Sequence, residues 1–303
     1  MTTSGSGAPA GFAEVWASEQ RRLRGLAYRI VGSLAEAEDV VQEAYTRLLR
    51  APQTIHDPVG WLVTVTTRLC LDHLRAADHV RRSYVGPWLP EPIVTDIDSV
   101  SDPQDRVTLD ETVRMALLVV LQELSPPERT ALVLHDVFQI PFDEVAEIVG
   151  RTPDACRQLA SRARARVHGD APSRFTTSGD VARRVAERFA RACDTGDVQS
   201  LVEILDPGAV GVFDSGGLIP GAPLEPLVGG PLIAETLIGT VSGRGATFTV
   251  ARVNGEPGII VSLDTTAVAV VSLSVDQGRI VDLHAIGNPA KLHDVNGPLR
   301  TIE

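Results

Sequence analysis

LSPPERTALVLHDVFQIPFDEVAEIVGRTPDACRQLASRARARV, residues 124–167, reads as short helices separated by tight turns. Pro126 and Pro127 open a helix that runs to about Val137, and Pro141 blocks its continuation. Residues 142–149 form the next apolar helix, which Gly150 ends. Thr152 then supplies an N-cap, followed by Pro153 at the first helical position. This is a helix-turn-helix. At 100° per residue the last helix gathers Ala155, Cys156, Leu159, Ala160, Ala163 and Val167 on one side. Asp154, Arg157, Gln158, Ser161 and Arg164 fall on the other. Such a face suits the DNA major groove: arginine can bond a guanine bidentately, glutamine an adenine, and a flanking arginine such as Arg162 neutralises phosphate. A solvated, arginine-rich surface helix is the competing reading.

Composition limits the partners. The chain has 303 residues, 44% hydrophobic, with a formal net charge of −11. That length suggests two or three domains with sizeable cores. The acidity excludes a protein that coats nucleic acid indiscriminately, so DNA contact must come from local patches. Cys70, Cys156 and Cys193 are odd in number and widely spaced, which indicates neither a disulfide framework nor a zinc site. No metal and no cofactor is expected. The N-terminal residues lack a basic start followed by an apolar run, and no window approaches 18 continuous apolar residues. A reduced, cytoplasmic protein with no membrane contact is the expectation.

Two irregular stretches divide the chain. Residues 85–106 hold Gly86, Pro87, Pro90, Pro92 and Pro103 among five acidic residues, without sustained periodicity, and read as a linker. Residues 168–180 follow the DNA-reading helix and contain Gly169, Pro172 and Gly179. Beyond them the pattern changes. Residues 180–205 read as helix, whereas 247–253, 258–263, 267–275 and 279–286 read as strands joined by Asn254-Gly255 and Asp276-Gln277-Gly278 turns.

The first 83 residues are expected to be helical. Ser33 and Glu36 form a capping box, followed by an apolar stripe of Val40, Val41, Ala44, Tyr45, Leu48 and Leu49. The outward face carries Asp39, Gln42, Glu43, Thr46, Arg47 and Arg50. The next helix, from Asp57-Pro58, presents Arg68, Asp72, Arg75, His79 and Arg82 at three and four spacing, either as a cationic ridge or as a ladder of intrahelical ion pairs.

The runs SLAEAEDVVQEAYTRLLR (33–50), PVGWLVTVTTRLCLDHLR (58–75) and residues 123–167 together resemble an extracytoplasmic-function sigma factor of bacterial RNA polymerase. The resemblance implies a sigma region 2 at 12–84, a linker at 85–106 and a sigma region 4 at 107–168. It further implies that Asp39, Gln42, Glu43 and Arg47 face the clamp of the polymerase beta-prime subunit, while region 4 meets the flap of the beta subunit. Residues 51–57 and the helix from Pro58, with Arg68, Arg75 and Arg82, would handle the melted minus-ten element. Trp61 would be the aromatic available to stack on a base, with a place in the core as its alternative. Arg157, Gln158, Ser161, Arg162 and Arg164 would read the minus-thirty-five duplex.

Ordinary members of that family stop soon after the helix-turn-helix. Residues 178–303, with CDTGDVQSLVEILDPGAVGVFDSGG (193–217) near their start, resemble a SnoaL-like domain of the NTF2-like α+β cone fold. Sigma factors so extended share a linker element, here GPWLPEP (86–92) with Trp88 and Pro90, and a terminal element, here Asn288, Pro289, Ala290, Lys291 and Leu292. A third element, Asp-Gly-Gly-Gly-Lys, is matched in part by Asp214, Ser215, Gly216, Gly217 and Leu218, without its lysine. The resemblance implies that the extension regulates the sigma factor in cis, in place of a separate anti-sigma protein, and that the protein catalyses nothing. The competing class is a ligand sensor or a small-molecule isomerase, cyclase or hydrolase. Its candidates are Asp214, Asp282 and His284, the last two on one side of a strand, with residues 216–231 able to gate a cavity.

Overall fold

The structure, a computed structural model, describes residues 10–51, 55–97, 114–170, 178–241 and 244–296. Much of the expected linker (98–106), part of the loop at 51–57 and most of the tether at 168–180 therefore lie outside the described residues. Two compact units are present, one built from residues up to 79 together with 121–167, the other from 80–120 together with 168 onward.

The first unit is helical. α1 (Ala10–Val31), α2 (Leu34–Arg50) and most of α3 (Pro58–Arg82) precede α4 (Met115–Glu123), whose last residues open the second half. The Ser33 hydroxyl caps α2, accepting from the Glu36 N–H at 3.2 Å. The α2 stripe packs inward through Val40, Val41, Ala44 and Leu48, while Leu49, expected within it, is 42% exposed. α5 (Pro126–Leu132) is shorter than expected, because the chain widens into a π-helical turn at Val133–Val137. α6 (Phe142–Val149) ends at Gly150, whose φ of 72° is the left-handed cap glycine permits, and α7 (Pro153–Asp170) follows. Arg129, 2% exposed, ties α5 to α1 by donating to the Ile30 carbonyl at 2.5 Å.

The second unit is a seven-stranded sheet in the order β1-β4-β5-β6-β7-β2-β3. β4 (Ala246–Val253), β5 (Glu256–Leu263), β6 (Thr266–Asp276) and β7 (Arg279–Ile286) follow the expected antiparallel meander. Two of its turns are two-residue reversals, Asn254-Gly255 and Gln277-Gly278, with positive φ at all four residues. The expected helix at 180–205 is broken at Gly196 into α8 (Gly179–Thr195) and α9 (Val198–Ile204). Among the elements not foreseen are β2 (Leu205–Asp214), parallel to β7, β3 (Leu227–Val228), and α10 (Gly230–Val241). β2 carries Pro207, Gly208 and Gly211, which read as loop in isolation; its partner lies some 70 positions away in the chain. β1 (Val94–Thr95) comes from the linker and extends the sheet along β4.

Both faces of the sheet are covered. One packs against α8, α9 and α10 through Phe189, Leu201, Ile233, Val271 and Leu283. The other buries Val253, Val270 and Ile286 beneath Leu89 and Met115, upstream of the helix-turn-helix. Burying both faces is unusual for an antiparallel sheet with one helical layer, and the linker supplies the second cover.

Candidate functional site

In the first unit the outward face of α7 is as the periodicity requires: Arg157, Gln158, Ser161 and Arg162 are exposed and Cys156, Leu159, Ala160 and Ala163 are buried. The arginines are not equivalent. Arg157 pairs with Asp154 one turn earlier on the exposed surface, and Arg162 lies 3.3 Å from Glu128. Arg164 is held by a fork of two bonds to Asp136, at 2.6 and 2.8 Å, so its donors are engaged inside the motif. A hydrogen bond from Ser125 lowers the Glu128 pKa, with Arg166 and Arg162 adding to the effect. On α2, Asp39, Gln42, Glu43 and Arg47 are exposed, with Arg47 donating to Glu43 at 2.8 Å. On α3, Arg75 pairs with Asp72 at 2.9 Å, as the ladder reading required, but Arg68 donates instead to the Glu147 carbonyl of α6 at 3.0 Å. Trp61 is half-buried. The side chains of His79 and Arg82 lie outside the described residues.

In the second unit the linker and chain-end elements converge on one carboxylate. Asp214, at the end of β2, is 1% exposed. Its Oδ1 accepts from the Tyr84 hydroxyl; its Oδ2 accepts from the Leu89 N–H at 2.8 Å and from Lys291 Nζ at 2.6 Å. Lys291 also donates to the Leu89 carbonyl at 2.6 Å, and Asn288 Nδ2 donates to the Tyr84 oxygen at 2.7 Å. The Asp214 carbonyl receives the N–H groups of Gly287 and Asn288 at 2.8 and 3.1 Å. Trp88 is half-buried between two cations: Lys291 Nζ is 4.0 Å from its ring centroid and the Arg81 guanidinium carbon 4.1 Å. Pro90 and Leu292 are buried and Pro289 is exposed. Gly216 and Gly217 sit at φ 58° and 76°; a Cβ on the first would lie 2.8 Å from Asn288 and on the second 2.8 Å from Val85. Both the left-handed backbone and the linker's approach therefore require glycine. Leu218, where the lysine is missing, is 65% exposed. The charge contact comes from Lys291, the chain's single lysine.

Burial draws the Lys291 pKa down to about 8 against the upward pull of Asp214, while burial and Asp214 together push Tyr84 up. At neutral pH the cluster thus holds an ammonium, a phenol and the carboxylate between them. An ion pair removed from water is stable only when its remaining hydrogen-bonding capacity is met, and Tyr84, Leu89 and Asn288 meet it.

The cone encloses a cavity of about 420 Å³ lined by Phe189, Phe213, Leu237, Phe248 and Val271 among others. Asp282 and His284 do not line it. They share a side of β7, as expected, but it is the side opposite Leu283 and Ala285, and each is 5% exposed. Burial pushes the cavity-lining Cys193 thiol up to about 12, so it is not a ready nucleophile. Among the described residues no cluster could hold a metal ion, and no helix is long and apolar enough to cross a membrane.

Residues 15–80 match the model of Sigma-70 region 2 and residues 114–167 that of Sigma-70, region 4. Over 290 residues the chain is 38% identical to the probable ECF RNA polymerase sigma factor SigI of Mycobacterium tuberculosis, covering 94% of this chain and 96% of that one. The chain belongs to the extracytoplasmic-function sigma factors of RNA polymerase. SigJ of the same organism is 38% identical over 284 residues, 90% of each chain. The crystal structure of SigJ superposes with a TM-score of 0.75 at 35% identity, covering 95% of this chain and all of that one. The C-terminal sheet domain is thus part of a shared architecture, and this sigma factor is a promoter-specificity subunit carrying it. Sequence reading had found the two ends of the Asp214 cluster but missed Tyr84 and Arg81. Tyr84 stands two residues before GPWLPEP, and a tyrosine flanking a linker gives no periodic signal.

Proposed function

We propose that this sigma factor directs initiation at promoters whose upstream duplex is read by Arg157, Gln158 and Ser161, and that its C-terminal domain regulates it in cis by holding the linker. The observation that carries the regulatory reading is the Asp214 carboxylate, bonded simultaneously to Tyr84 just before the linker, to Leu89 within it and to Lys291 of the chain end. A linker laid on the sheet is not free to follow a groove of the polymerase. The docked state is the inactive one, and a separate anti-sigma protein is not needed to produce it. Asp39, Gln42, Glu43 and Arg47 form the contact with core polymerase, whose location puts the protein in the cytoplasm. The extension carries out no bond chemistry, a reading supported by the placement of Asp282 and His284 away from the cavity.

Run-off transcription with purified core polymerase tests this reading. Lys291→Ala should raise promoter-dependent transcript severalfold while leaving core association unchanged. Transcription equal to wild type would remove the latch from the account of regulation. Turnover of a small substrate by the chain, abolished by Asp214→Asn, would restore an enzymatic reading.

A further inference from the structure

Protein interiors are packed with few gaps larger than a water molecule, yet the inner face of this cone leaves about 420 Å³ open. That volume lies within the range of small-molecule sites. The sheet wall of this space carries the small side chains Ala267, Ala269 and Ala285 beside Phe213 and Phe248, and Phe189 of α8 also lines it. The walls are apolar, so the body of any occupant must be apolar. At the rim stands Arg244, exposed and without an ion-pair partner among the described residues. Asp214 also lines the cavity, but its oxygens are committed to Tyr84, Leu89 and Lys291 and cannot receive a cationic ligand.

We propose that this cavity binds a small, largely apolar organic anion whose acidic group pairs with Arg244, and that occupancy is transmitted to the docked linker. Transmission rests on the latch reading above. It has a short physical route: Asp214, Pro289 and Leu292 contribute to the cavity wall, while Asp214 and Lys291, between Pro289 and Leu292 in the chain, make the ion pair. Ile219, which also lines the cavity, lies so close to Gly287 that a Cβ there would meet its Cδ1 at 2.7 Å. An occupant that moves Ile219 therefore changes its packing on Gly287, the residue before Asn288.

The test uses the full chain, with decanoate as the probe and decanol as its neutral counterpart. Calorimetric titration should give saturable binding of one decanoate. Ala269→Phe, which fills the cavity, should weaken it at least about tenfold with the fold verified by circular dichroism, an order of magnitude set by steric exclusion. Arg244→Ala, at an exposed position that does not threaten folding, should weaken decanoate about twofold to fivefold and leave decanol unchanged, as expected of a solvent-accessible ion pair. In protein labelled with 5-fluorotryptophan, the fluorine resonance assigned by Trp88→Phe should shift on saturation, with those of Trp16 and Trp61 unmoved. No saturation below about 1 mM, or equal affinity in the Ala269→Phe protein, would overturn the site. Saturation with a stationary Trp88 resonance would overturn the transmission. None of these readouts involves transcription, so failure of the latch in run-off assays is distinguishable from failure of the binding site.

Discussion

At the scale of single residues, the cluster around Asp214 concentrates the chemistry of the second unit. A buried carboxylate is expensive unless every lone pair is used, so each donor removed leaves a specific debt. Tyr84→Phe keeps the ring that packs near Lys291 and deletes only the donor to Asp214. It should weaken linker docking by about 1.5–3 kcal/mol, the range for a hydrogen bond to a charged group, seen as faster exchange of the Leu89 amide hydrogen. Lys291→Arg should not restore function to the site, because a planar guanidinium cannot place one donor between Asp214 Oδ2 and the Leu89 carbonyl as a compact ammonium does. The pH dependence has a definite sign. Docked, Lys291 titrates at about 8; released into water it returns toward 10.5. Between those values the released state binds more protons, so docking strengthens as pH rises from about 8 to 10. Below that window both states are protonated and the dependence vanishes. Above it the ordinary tyrosine value of 10.0 is passed, and Tyr84, held protonated only when docked, turns the trend over. The Trp88 fluorine resonance followed across pH 7–11 would display the maximum, and a monotonic loss of docking above pH 8 would contradict the assignment.

Among the elements, α7 and α2 are amphipathic helices with exposed polar side chains on their outward faces, and α3 is tied through Arg68 to α6. Arg157 is paired with Asp154 and its guanidinium carbon lies 5.8 Å from the Phe142 ring centroid, weak contacts on an exposed surface that a guanine edge can outcompete. Arg157→Ala should therefore cost about 1–3 kcal/mol of discrimination at one or two base pairs of the upstream element. Run-off transcription over single-base promoter variants measures this, and an unchanged preference profile would refute it. Arg164→Ala should act differently: it strips Asp136 of a forked partner and lowers the melting temperature, with weaker transcription from every promoter alike. Charge reversal at Asp39 and Glu43 should reduce retention of core polymerase in a pull-down without loss of helical circular dichroism, since both side chains project away from Val40, Val41 and Ala44. The helical elements were legible in the sequence because their signals are local: a capping serine at Ser33, a proline at Pro153, a left-handed glycine at Gly150. Arg68 was not, because its acceptor, the Glu147 carbonyl, is 79 residues away.

For the whole molecule, the linker behaves as a layer of the C-terminal domain. Leu89 and Met115 are buried in one cluster with Val253, Val270, Ile286 and Leu292. Truncation from residue 288 onward should release the linker while keeping the sheet, and so raise transcription as Lys291→Ala does. Deleting residues 178–303 should instead leave Leu89 and Met115 without their cover, giving a chain that aggregates more readily and transcribes at a different level from the short truncation. Light scattering and run-off assays on both truncations decide this, and identical behaviour would contradict the layered arrangement. The sequence by itself determined the helix-turn-helix, the capped α2, the meander of β4 to β7 and the family, because periodicity, caps and two-residue turns act over a few residues. It also named both ends of the cluster, at 86–92 and 288–292, without joining them. Tertiary structure alone decided that Asp214 joins them, that Tyr84 completes the network, that β2 pairs in parallel with β7, and that Asp282 and His284 turn away from the cavity. Each of those depends on chain segments roughly 70 to 200 positions apart meeting at hydrogen-bond distance, or on which face of a sheet a distant layer covers. No local pattern of residue types encodes such a meeting, since it is selected by the summed burial of the whole core.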